Sequence, residues 1–369
     1  AVQRFLLLFL LAMVFQGVLW HQSTIVDGGR WVSTAEAMNM WSTEMMDEFT
    51  QGYPGTPPLM LAIIAHRLFG IDMAAAFRGS IVVLLAVAIS LSGVVAYKLS
   101  PNTSFWLLAS LAMSLSILPV KATPPSAVVA PFIVLLVLYS WWEYRRKTFS
   151  SLYQPVVLGL LIGSSLAIRL DISLAFSVPF LLIFWRTVGF RYVMYAISIA
   201  MIVFFLLNPF LWFAPGEHLA SFGSKITYHA LEHGDVRTIP LQMIFQRGVF
   251  GLLGFLLALI ASRTRLLRGQ PTAFFFHYLA GITLAVMVGL ALSRYKPRWY
   301  LHPLIQVWEV VLIFILLFLL PHIDPPEDWV RPSLFSRYAQ RFLEGLLVLL
   351  FLIPFVQYLT TPTVTYILD

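Results

Sequence analysis

The chain has 369 residues, 59% hydrophobic and 11% charged, with 30 phenylalanines, a mean hydropathy of +0.84 and a formal net charge of +7. A soluble core cannot absorb that composition, which excludes a globular domain with one anchor and leaves a polytopic helical membrane protein. The basic residues fall in clusters between apolar runs, so they read as topology determinants and not as a nucleic-acid face, and the absence of cysteine excludes disulfides, thiolate metal sites and Cys nucleophiles.

The first apolar run, Phe5 to Trp20, follows Arg4 and exits through Trp20-His-Gln-Ser, with no small-residue cleavage pattern. A retained first helix over about residues 3–20 is therefore expected. Further apolar runs predict spans at about 78–97, 103–120, 126–142, 154–170, 172–185, 191–211, 242–262, 273–292, 301–320 and 342–358, about eleven in all, within a single transmembrane domain over residues 1–369. Arg4, Lys98, Glu143 to Lys147, Arg186 to Arg191, Arg263 to Arg268 and Arg331 to Arg341 fall on one side of the membrane if the N-terminus is cytoplasmic. Parity holds provided Pro57 to Gly70 does not cross: about 14 residues at 1.5 Å each reach roughly 21 Å, against a hydrocarbon core of about 30 Å. An interfacial or re-entrant segment is expected there.

The non-cytoplasmic segments are then 21–77, 208–241 and 293–300, with a short proline-rich loop from Lys121 to Ser126. In the first of these, Trp31, Ala35 and Met38, then Trp41 and Met45, recur at helical spacing, as in short amphipathic helices lying on the membrane. No heptad, internal repeat, low-complexity tract, Gly-rich phosphate loop or Ser-His-Asp order occurs.

Asp27 lies just past the first span, where a carboxylate can take a proton from an acceptor hydroxyl or amine. The same residue type also caps helix N-termini, a role stabilising by about 1 kcal/mol. Asp47-Glu48 reads as a solvated face. Tyr53-Pro-Gly-Thr-Pro-Pro58 is a rigid turn that fixes the start of the next helix by locking φ at its prolines. Arg169 and Asp171 are expected to pair across a tight turn, because charges near hydrocarbon are costly unless neutralised. Glu217-His218 and His229-Ala-Leu-Glu232-His233 lack a properly spaced third ligand and read as polar loop residues, not a zinc site.

Ser293 to Pro303 places Arg294, Lys296 and Arg298 among Tyr295, Trp299 and Tyr300 at an outer end, against the positive-inside trend. Cations beside aromatics suit a phosphate and a sugar ring. They also suit headgroup snorkelling in an aromatic belt.

Asp27 with Arg30-Trp31 and Ala35-Glu36-Ala-Met38, then Tyr53 through Pro57-Pro58-Leu59 and Leu68-Phe69-Gly70, resemble the first external loop of class C glycosyltransferases. The pattern is similar to bacterial mannosyltransferase-like and aminoarabinose-transferase-like members. Asn208-Pro-Phe-Leu-Trp212 and Arg294 to Pro303 resemble the family's later elements. The resemblance implies an all-α integral membrane fold that transfers a sugar, with inversion, from a polyprenyl-phosphate carrier to an acceptor on the external, periplasmic face. It implies Asp27 as the base, Arg294, Lys296 and Arg298 as holders of the carrier phosphate, and Tyr53 and Trp31 as sugar or loop-packing groups. The donor carries its own activation, so no cofactor is expected, while a divalent metal is left open. Expected partners are membrane lipid, the polyprenyl-phosphate carrier, a glycan, lipid or protein acceptor, and other membrane subunits, with no nucleic acid; the expected location is the bacterial inner membrane.

The chain departs from the pattern where the acid after Asp27 is Gly28, where the lysine before Pro-Pro is Thr56, and where Lys121 to Ser126 carries no acid. Those departures favour a rival reading, a non-catalytic subunit of this fold with a structural role in a larger membrane complex. A flippase of lipid-linked sugars is a second rival, opposed by the lack of paired broken helices.

Overall fold

The computed structural model describes residues 2–22, 28–40, 56–99, 124–146, 151–213, 215–216, 219–220, 223–224, 249–263, 271–292, 302–319, 342 and 345. Among them the regular structure is entirely helical. In chain order the helices are α1 (Val2–Gln22), α2 (Gly28–Met40), α3 (Thr56–Phe69), α4 (Met73–Leu99), α5 (Pro124–Arg146), α6 (Tyr153–Ile168), α7 (Leu170–Thr187), α8 (Phe190–Leu206), the single turn α9 (Phe210–Phe213), α10 (Val249–Arg263), α11 (Pro271–Leu292) and α12 (His302–Leu319).

The expected spans at 103–120 and 342–358 lie outside the described residues, apart from Phe342 and Gly345, as do residues 242–248 of the span at 242–262; every other expected span overlaps a helix. Four stretches, Met73–Leu99, Val128–Arg146, Leu170–Thr187 and Pro271–Gly289, are long and apolar enough to cross a membrane, and the other apolar helices are shorter. The run Pro57 to Gly70 forms a helix of 14 residues, too short to cross. Its start is set by Pro57 and Pro58, whose missing N–H groups fall where a first turn has no use for them. Its end is set by Gly70, which takes φ +64° and donates its N–H to the His66 carbonyl at 2.9 Å. Asp72 then caps α4, its Oδ2 accepting from the N–H groups of Ala74 and Ala75 at 3.1 and 3.2 Å.

Helix α8 stops at Leu206, short of the expected 211, because Pro209 cannot donate to the helix ladder and biases Asn208 away from helical φ/ψ. Helix α5 runs the other way, past the expected end at 142 to Arg146.

Helix α5 is the hub, packing against α4, α6, α7, α11 and α12. The buried share of its membrane-length window is 89%, compared with 39% for α7. Inside lipid, tails are as apolar as leucine, so helices associate through close packing and hydrogen bonds. Trp141 supplies both: it stacks on Phe275 at 6.0 Å, meets Phe276 and Phe314 edge-on at 5.1 and 5.2 Å, and donates its indole N–H to Thr272 Oγ1 at 3.5 Å. One residue thereby ties α5 to α11 and α12, with each aromatic pair contributing about 0.5–1.5 kcal/mol beyond its buried area.

Glycines set the closest contacts. A Cβ at Gly159 would stand 2.6 Å from the Ala196 carbonyl oxygen, and one at Gly163 equally close to that of Ala200. The small-xxx-small rows of α6 and α8 therefore lie backbone against backbone, and the matching order of the contacts makes the two helices parallel. Gly251 and Gly254 do the same for α10 against Ile305 and Trp308 of α12.

Arg169 and Asp171 pair as expected, Nε to Oδ1 at 3.0 Å and Nη2 to Oδ2 at 3.3 Å, while Oδ1 also accepts from the Ile172 N–H at 2.8 Å. One carboxylate thus neutralises a buried guanidinium and satisfies the first turn of α7.

Candidate functional site

The two ends of the bundle differ in chemistry. At one, the Arg4 guanidinium sits 3.6 Å from the centroid of the Tyr97 ring, Lys98 and Arg146 approach the Trp142 ring, and Arg145 donates to the Leu99 carbonyl at 2.9 Å. These contacts place the start of α1 and the ends of α4 and α5 together. The Tyr139 hydroxyl, donating to the Gln154 carbonyl at 3.1 Å, adds the start of α6, and Thr272 beneath Trp141 adds the start of α11. Ser262 Oγ, 3.2 Å from His277 Nε2, brings in the end of α10. This is the basic end.

The opposite end follows from the parallel pairs. There lie the ends of α1, α8 and α11 and the starts of α5, α7, α10 and α12. Helix α3 starts there as well, because the buried Thr56 hydroxyl shares its one proton between the Leu207 carbonyl and Asn208 Oδ1, the latter 2.9 Å away, while Asn208 Nδ2 donates to the Phe204 carbonyl at 2.7 Å. This latch joins Thr56, at the start of α3, to Asn208 at the head of the Asn208-Pro-Phe-Leu-Trp212 element, and each belongs to a motif that stands out independently in the sequence. Farther along, Arg67 Nε and Nη2 donate to the side chain and carbonyl of Asn39, both at 2.6 Å, fastening α3 to the end of α2. Helix α2 packs on α3 and α4, with Ala35 fully buried, so its apolar face meets protein.

Of the expected site residues, Trp31 belongs to α2, although its side chain is outside the described residues. Asp27, Tyr53, Arg294, Lys296 and Arg298 also lie outside them. The described residues that bracket Asp27, Gln22 and Gly28, belong to α1 and α2; Tyr53 falls between α2 and α3, and the three cations between α11 and α12. Every bracketing helix terminus at α1, α3, α11 and α12 is on the end opposite the basic one. The His229, Glu232 and His233 group is outside the described residues too, and among those described no cluster of three or more His, Asp or Glu could hold a metal.

Thr56 gains a role that sequence reasoning missed. It is turned into the bundle with no exposed surface. Thr56→Val keeps the shape and removes the donor, leaving the Leu207 and Asn208 oxygens buried without it. A loss of about 1–3 kcal/mol is expected in thermal unfolding of the purified protein, with Thr56→Ser close to wild type. Glu143 and Glu309 were also missed as buried groups: 4% and 7% exposed, they sit on α5 and α12, the former inside a charged run that reads as a loop.

No protein-family model matches the chain, and no curated protein matches it in sequence. Among solved structures, it is similar to the crystal structure of ArnT from Cupriavidus metallidurans bound to undecaprenyl phosphate, at a TM-score of 0.60 and 14% identity, over 97% of this chain and 76% of that one. At that identity the likeness speaks for the fold. Among the described residues the chain is all-helical, with membrane-length helices, and it shares the fold of the Cupriavidus ArnT.

Proposed function

We propose that the protein transfers a sugar from a polyprenyl-phosphate carrier to an acceptor at the non-cytoplasmic face of the membrane. The observation that carries this reading is the ArnT-like fold, in which the helix termini bracketing Asp27, Tyr53 and the Arg294–Arg298 segment gather at one end. The Cupriavidus ArnT is bound to undecaprenyl phosphate in its crystal structure, which supports a lipid phosphate of the same class here. In the proposed step an acceptor O–H or N–H attacks the anomeric carbon. Asp27 takes its proton, the bond from that carbon to the phosphate oxygen breaks, and the carrier phosphate leaves with the electron pair, inverting the centre. Arg294, Lys296 and Arg298 offset the charge on the departing phosphate. Trp31 and Tyr53 contribute aromatic faces to the sugar or pack the loop, and the working orientation places the basic end in the cytoplasm of a bacterial inner membrane.

The test is transfer of radiolabelled sugar from polyprenyl phosphate in proteoliposomes. Replacing Arg294, Lys296 and Arg298 together with alanine is expected to weaken carrier binding, with the difference from wild type shrinking as salt rises. Equal carrier binding in that variant would make the three residues headgroup anchors.

The burial of Thr56 favours a second reading, because a side chain turned into the bundle gives the carrier phosphate nothing where related loops offer a lysine. On that reading the chain is a non-catalytic subunit of a larger membrane complex. Wild-type protein inactive with every donor, yet co-purifying with other membrane subunits, would select it.

A further inference from the structure

We propose that Arg4, Lys98 and Arg146, held against Tyr97 and Trp142 at the basic end, form a binding site for the phosphate headgroup of an anionic membrane lipid. The site is remote from the sugar-transfer end and does not depend on that activity.

Three helices build it. Arg4 comes from the first turn of α1, Tyr97 and Lys98 from the last turn of α4, and Trp142 and Arg146 from the end of α5. All three cations are exposed, and both rings are half-buried. Arg4 lies 3.6 Å from the Tyr97 centroid, while Lys98 Nζ and the Arg146 guanidinium lie 4.7 and 4.8 Å from that of the single Trp142 ring. Sharing one ring keeps the two like charges within about 9.5 Å of each other, where they repel and an anion between them is favoured. Among the described residues none of the three has a carboxylate within ion-pair distance. Glu143, which interacts electrostatically with Arg146 and Lys98, is itself buried, so the exposed side chains of this group are the cations.

The rings also order the cations. Free lysine and arginine side chains lose rotamer entropy when they clamp a phosphate, and stacking on a fixed ring has already removed part of that freedom. The flanking surface is apolar: Val2, Leu6, Leu7 and Leu10 on α1 are all exposed, giving acyl chains a wall to lie against. Clustered cations over an apolar face at a helix-bundle end match a phosphodiester headgroup with its tails.

The full chain is reconstituted in nanodiscs of phosphatidylcholine alone or with added phosphatidylglycerol, and the thermal midpoint and the lipids retained in native mass spectrometry are measured. Wild type is expected to gain thermal stability with phosphatidylglycerol, to saturate, and to retain that lipid. The Arg4→Gln, Lys98→Gln, Arg146→Gln triple variant is expected to bind it about 100-fold more weakly, while melting like wild type in phosphatidylcholine. Trp142→Leu, which keeps every charge, is expected to weaken binding as well; wild-type binding in that variant would overturn an ordered site in favour of a diffuse field. An equal phosphatidylglycerol response in the triple variant would overturn the proposal outright, and the same stabilisation by inorganic phosphate alone would overturn the assignment to lipid.

Discussion

Gly163→Leu is expected to leave little folded protein. The Cβ it introduces would meet the Ala200 carbonyl oxygen at 2.6 Å and Val203 Cβ at 2.7 Å. Neither is the far end of a flexible side chain, so α6 and α8 must separate, and the rest of the leucine widens the gap further. Gly163→Ala and Gly159→Ala, with only the Cβ, are expected to cost about 1–3 kcal/mol each. The same helix displacement relieves both, so the double variant should cost less than the sum. Gly281→Ala is the internal control: nothing lies within 4 Å of its added Cβ, and alanine exceeds glycine in helix propensity by about 1 kcal/mol. Equilibrium unfolding in detergent of all four should show opposite signs for α6 and for Gly281. Stabilisation by alanine at 159 and 163 would mean that α6 and α8 are not packed backbone to backbone.

What was legible beforehand follows from the range of each interaction. Apolar runs announce helices because a crossing helix needs about 20 such residues, and the Arg169–Asp171 pair was legible because its partners are two positions apart. The Thr56–Asn208 latch was not, since 152 positions separate its ends and only the fold brings them together. Glu143 was misread for a related reason. Glu143-Tyr-Arg-Arg-Lys looks like a solvated loop, but α5 is surrounded by other helices beyond the length a hydropathy run suggests, and that crowding buries the acid. The glycine spacing on α6 is visible in the sequence, whereas its partners on α8 are not. For the site, the motifs nominated the residues, and the fold adds which end of the bundle their bracketing helices share.

Asp27→Asn is expected to lower sugar transfer by about 10²–10⁴ while leaving carrier binding and thermal stability near wild type, because the amide is nearly isosteric but cannot accept a proton. The rival role for this residue predicts the reverse. Asp27 directly precedes α2, which starts at Gly28, the position from which a side chain caps a helix. A capping residue changed to asparagine loses little, since asparagine caps about as well as aspartate, whereas Asp27→Ala would then cost about 1 kcal/mol of stability with activity falling only as folded protein falls. The pair of variants therefore separates the two roles: a base fails in both and melts normally in Asn, and a cap keeps its activity in Asn and softens in Ala. The measurement is radiolabelled transfer from polyprenyl phosphate in proteoliposomes beside thermal unfolding of the same preparations. Full transfer by Asp27→Asn would reject Asp27 as the base. With Gly28 at the adjoining position, no acid next in sequence stands ready to take over the proton, so residual activity in Asp27→Asn should not recover as pH rises through the ordinary carboxylate range, as it would if a second carboxylate substituted.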